Sequence, residues 1–97
     1  MNRNTDSKTA QLRIGAAWRE YELAAADCAS AMAASDANPD DEALEDAWAM
    51  AAQWKYYAFE ALAYELADAC SLSVEDARRA IIDFGDGIVS AVERLAA

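Results

Sequence analysis

The stretch DDEALEDAWAMAAQWKYYAFEALAYELADA, Asp40 to Ala69, decides the fold. It contains no proline and no glycine, and its apolar residues recur every three or four positions. That is helical spacing. Leu44, Trp48, Ala51, Ala58, Leu62 and Leu66 form one line, and Ala47, Met50, Trp54, Tyr57, Ala61 and Tyr64 form a second. The polar side is narrow: Glu42, Asp46, Gln53 and Glu60. One neighbouring helix covers one line. The second must be covered by the C-terminal segment, by another chain or by a binding partner. An intramolecular core is the plain explanation of Trp54, Tyr57 and Tyr64, and an interface is the alternative.

Working outward, residues 7–34 read as a first helix. Ile14, Trp18, Tyr21, Ala25, Cys28 and Met32 make an a/d seam. Ala17, Ala24 and Ala31, seven apart, let another helix approach closely. Ser35 to Pro39 break the pattern, and Pro39 suits the first turn of the helix over 40–69. Ser73-Val74-Glu75-Asp76 fits a capping pattern with Ser73 as N-cap. A third helix is expected over 74–84, ended by Gly85-Asp86-Gly87, and a fourth over 88–95. No strand signal competes. The expectation is an all-α chain, one domain over 1–97. It is a long antiparallel helical hairpin followed by two short helices packed on its open end, four helices in all.

Composition excludes several functions. The chain has 18 acidic residues, 8 basic ones and no histidine, for a net charge of -10. Phosphate binding needs concentrated Lys and Arg, so direct nucleic-acid binding is not expected. The lack of histidine removes the commonest general base and metal ligand. Asp36, Asn38 and Asp40 have the spacing of a calcium loop, but Asp41 stands where glycine is needed and Ala47 where glutamate is needed. Asp83-Phe84-Gly85 spells a kinase triplet without any other kinase element. The reading is non-enzymatic, with no cofactor and no metal. The N-terminus shows no apolar signal segment, and no stretch approaches the roughly 18 apolar residues of a membrane span, so a cytoplasmic protein is expected. In a hairpin turning near Pro39, Cys28 lies ~9 Å from the turn and Cys70 ~45 Å. A disulfide needs Cα atoms within about 7 Å, so both cysteines are expected as small apolar residues.

The charge is concentrated in the middle. Residues 1–23 sum to +1, residues 24–76 to -11 and residues 77–97 to zero. The densest cluster is Asp36, Asp40, Asp41, Glu42, Glu45 and Asp46. Acids in a first helical turn complement free N–H groups and the dipole, which covers Asp40, Asp41 and Glu42. A solvated acidic face explains the rest. The functional alternative is a partner with a basic surface, since carboxylates on successive turns imitate a row of phosphates.

Two resemblances bear on this. Glu65-Leu66, Leu72-Ser73, Ala77-Arg78-Arg79-Ala80-Ile81, Ile88-Val89-Ser90-Ala91-Val92 and Leu95 form a pattern covering about a third of the chain. It resembles a ubiquitin-associated-type three-helix module, as in the alpha subunit of the nascent polypeptide-associated complex. Ubiquitin-binding members carry Gly-Phe or Gly-Tyr in the first turn, where this chain has Cys70-Ser71-Leu72-Ser73. In size and composition alone, the whole chain resembles small acidic inhibitors of phages and mobile elements, such as anti-CRISPR proteins and DNA mimics.

Two functions follow as expectations. The first is an inhibitor or modulator of a protein partner, such as a nucleic-acid-processing complex with a basic surface. It would bind through the acidic cluster Asp36, Asp40, Asp41, Glu42, Glu45 and Asp46. The second is a homo-oligomeric adaptor, a homodimer held by Trp54, Tyr57 and Tyr64 with Arg78 and Arg79 at the flank.

Overall fold

The structure, a computed structural model, describes residues 3–96, with side chains over residues 8–95. The expected domain over 1–97 includes residues 1, 2 and 97, which lie outside the described residues. Helices follow in the order α1 (Arg3–Ala37), α2 (Glu42–Cys70), α3 (Val74–Phe84) and α4 (Ile88–Ala96). No strand occurs among the described residues. A 3-10 turn, Gly85–Gly87, joins α3 to α4 without any coil. The helical backbone therefore comes in three unbroken stretches rather than four separate ones, the last divided internally. Gly85, at φ 54 and ψ -128, makes that division in a region that residues with a Cβ rarely enter.

The first helix begins at Arg3 rather than at residue 7, and α2 and α4 each run one residue past their expected ends, to Cys70 and Ala96. Local chemistry moves two further boundaries. The first helix, expected to stop at Ala34, continues through Ser35 and Asp36 to Ala37. Asn38 Nδ2 donates to the Ala34 carbonyl at 3.1 Å, and Pro39 disfavours further helix at the residue before it. Pro39 itself stands in the turn, not in the first turn of α2 as expected. Asp41 takes the N-cap instead. Its Oδ1 accepts the N–H groups of Ala43 (3.0 Å) and Leu44 (3.3 Å), so α2 starts at Glu42 instead of Asp40. Ser73 caps α3 in the same way, accepting the Asp76 N–H at 3.1 Å.

Helices α1 and α2 run in opposite directions against each other. Arg13 pairs with Glu65 and Asp68, and the Tyr21 ring lies 5.7 Å from that of Phe59. The seam changes character along its length. Away from the turn, Ile14, Leu62 and Leu66 meet Ala77, Ile81, Ile88 and Val92, so α3 and α4 close this end. The largest fully buried side chains, Ile14, Leu62, Leu66, Ile88 and Val92, all lie here. Nearer the turn the buried residues are small, Ala24 and Ser35, beside half-buried Cys28, Ala31, Leu44 and Trp48. Met32, expected in the seam, is 42% exposed. Ser35 stands three whole heptads after Ile14 and is buried like it, so that line holds along the helix. Beside it the Ala17, Ala24 and Ala31 line turns inward, and Met32 stays at the edge. The molecule is rod-like, 57 × 21 × 18 Å.

The end of α2 carries a measurable strain. Ser71 adopts the left-handed conformation (φ 54, ψ 42), and the N–H groups of both Ser71 and Leu72 return to the Ala67 carbonyl. Glycine is the usual residue here because a Cβ crowds the following carbonyl. Ser71→Gly is expected to raise the unfolding free energy by about 0.5–1 kcal/mol in a urea titration. A loss of stability would show that the serine hydroxyl holds something at this corner.

Candidate protein-binding site

Six acids meet at the tip of the rod. Asp36 lies in the last turn of α1, Asp40 and Asp41 in the connection, and Glu42, Glu45 and Asp46 in the first turns of α2. All six are exposed. Helix physics accounts for some of them. Asp41 is the cap, and Glu42 and Glu45 sit where the N-terminal dipole favours acids. Asp36 is placed where the dipole of α1 disfavours an acid, and Asp46 lies beyond the first turn of α2. Helix electrostatics therefore does not account for these two charges. From Glu20 to Trp54 the chain has nine acids and no Lys or Arg. Among the described residues the ion pairs are Arg13 with Glu65 and Asp68, and Arg78 with Glu60, all away from the tip.

The aromatic residues lie elsewhere on α2. The core explanation for Trp54, Tyr57 and Tyr64 is overturned: they are 43%, 57% and 59% exposed. Met50 is 71% exposed, and Ala47 and Ala61 between them are exposed as well. The reason is where α3 and α4 dock. They cover Ala63, Ala67 and Cys70, a different side of α2 from the second apolar line. Of the two arginines expected beside these aromatics, Arg78 arrives and Arg79 stays exposed. Arg78 donates twice to Glu60, at 2.7 and 2.8 Å, and Tyr56 Oη donates to the same carboxylate at 3.2 Å. The Tyr56 and Tyr57 rings pack at 5.9 Å, and Gln53 donates to Tyr57 Oη at 3.1 Å.

Sequence reasoning passed over Tyr56, Ile82 and Phe84. Tyr56 is 58% exposed beside the second line and Ile82 72% exposed on α3, while Phe84 carries the Arg94 guanidinium 5.7 Å above its ring. Tyr56 falls on neither apolar line, so periodicity gave no signal for it. The face opposite Ala77 and Ile81 on α3 would have pointed to Ile82.

The ion pair on α3 has a defined pH signature. Hydrogen bonds from Arg78 hold the Glu60 carboxyl below the ordinary carboxylate range, against the opposing effect of desolvation. A carboxyl with a lowered folded-state pKa contributes stability above its unfolded value, and that stability is lost as pH falls through the folded value. The thermal midpoint difference between the wild type and Glu60→Gln should therefore be constant near neutral pH and shrink below about pH 4.5. Parallel melting curves from pH 7 to pH 3 measure it. A difference that grows with acid would contradict the assignment.

Cys28 and Cys70 are free thiols, Cys28 half-buried and Cys70 buried. Burial pushes the Cys70 thiol pKa up, and its Sγ lies 3.9 Å from the Val92 carbonyl. Among the described residues no three His, Cys, Asp or Glu side chains converge as metal ligands, and no helix is long and apolar enough to cross a membrane. Comparison with protein-family models, curated proteins and solved structures finds no match to this chain.

Proposed function

We propose that this protein is a non-enzymatic acidic binding protein that inhibits or modulates a protein partner with a basic surface. It would act as a helical hairpin whose tip is presented by the closed, helix-packed far end. The observation that carries the reading is the tip itself: six exposed acids, two of them unexplained by helix electrostatics, with no basic residue between Arg19 and Lys55. Such a field raises the encounter rate with a basic surface and repels nucleic acid. The likeness to small acidic inhibitors of phages and mobile elements supports the same class of action.

Affinity capture from a lysate, with and without nuclease, tests it. A basic nucleic-acid-processing protein should be retained after nuclease treatment and released as salt rises. Asp40→Lys/Glu45→Lys/Asp46→Lys should weaken capture at least tenfold, while Asp41, which caps α2, is left intact. Circular dichroism checks that the variant folds. Capture indifferent to salt and to these three reversals would remove the reading.

A further inference from the structure

The tip explains charge but not the aromatic face beside it. Met50, Trp54, Tyr57, Ala61 and Tyr64 follow one another at helical spacing along the outer side of α2, a stripe about 21 Å long at 1.5 Å per residue. With Tyr56, its large side chains expose on the order of 500 Å² of contact surface, the size of the functional patches of monomeric proteins. Its composition matters as much as its size. Trp, Tyr and Met are the residues enriched at the centres of protein interfaces.

Charge selects the occupant. The stripe is bounded by Asp46 at one end and Asp68 at the other, both exposed. Lys55 is half-buried on the α1-facing side of the helix, and the Arg78 guanidinium is held by Glu60. A second copy fits poorly. A two-fold axis at Tyr57 would set Asp46 of one copy opposite Asp68 of the other, and a parallel pairing would lay acidic tip beside acidic tip. Apposed like charges disfavour both pairings. Arg13 offsets part of the charge of Asp68, but it is shared with Glu65.

We infer that the Met50–Tyr64 face of α2 is the docking surface for a protein partner presenting an apolar groove or helix face flanked by lysine and arginine. This rests on the proposed function and assigns its energetic centre: the tip steers, and the stripe holds. The partner inserts apolar side chains between Trp54 and Tyr57, and its basic flanks meet Asp46 and Asp68.

The test uses the full chain and three labelled helical peptides in fluorescence anisotropy. One carries leucines along one face with lysines flanking them. The second replaces the lysines by glutamates, and the third replaces the leucines by serines. The leucine–lysine peptide should bind, the other two at least tenfold more weakly. Met50→Ser/Tyr57→Ser, at two well-exposed positions, should weaken binding at least tenfold, as should Trp54→Ala. The tip variant Asp36→Asn/Asp40→Asn/Glu45→Gln should weaken it less than threefold. The inference is overturned by full binding in Met50→Ser/Tyr57→Ser, by equal binding of the glutamate or serine peptide, or by no binding of any peptide. It is also overturned by a wild-type dimer in sedimentation equilibrium that the same double variant dissociates. Loss of binding in the tip variant alone would sink the stripe as the holding surface while leaving the acidic-tip reading standing.

Discussion

Leu62→Ala should lower the unfolding free energy by about 3 kcal/mol. Leu62 is fully buried where α2 meets Ile14 of α1 and Ile88 and Val92 of α4. Truncation removes a side chain shared by three helices and leaves a cavity that rigid helices fill only in part. A domain of this size holds about 5–15 kcal/mol in total, so the variant loses a large fraction of its stability. The expected fall in thermal midpoint is about 10–20 °C. Leu12→Ala is the matched control, since Leu12 is 77% exposed, and should change stability by no more than about 0.5 kcal/mol. Equal effects at the two positions would mean that the closed end is not where the fold is held.

Ala24→Leu should destabilise by about 2 kcal/mol although it adds apolar surface. Ala24 is fully buried in the part of the seam nearer the turn, where the inward residues are small. A leucine there must either take a strained rotamer or push the helices apart, which also loosens the half-buried Cys28 and Trp48. Ala26→Leu, one face away and exposed, should be neutral within about 0.5 kcal/mol. Denaturant titration of the two variants separates close packing from general hydrophobicity. A stabilising Ala24→Leu would show that the helices have room between them.

These two positions also show how far the sequence could be read. Ala17, Ala24 and Ala31 announce close approach by their spacing, and Leu62 announces a buried line. Caps were readable where one side chain decides them, as at Ser73, and less so where residues compete. Pro39 and Asp41 both suit a helix start, and the two hydrogen bonds accepted by the Asp41 side chain settled it. The acidic cluster was legible as a set, because its members lie within eleven residues and a single turn gathers them. The Arg78–Glu60–Tyr56 group was not, because it joins α3 to α2 across a separation that no local pattern encodes.

By itself the sequence determined the helices, the glycine that divides the last stretch, and the placement of negative charge. Each of these is fixed by residues within a few positions of one another. Only the tertiary structure decided which apolar line of α2 would be covered. Both lines have helical spacing and both carry large side chains, so periodicity does not rank them. The choice falls to the packing of Ile14, Ile88 and Val92 against Leu62 and Leu66, which seats α3 and α4 on one side and leaves Met50, Trp54, Tyr57 and Tyr64 in solvent. Burial is a property of what arrives from elsewhere in the chain, and that is the physical reason an aromatic line that reads as core stands open as a surface.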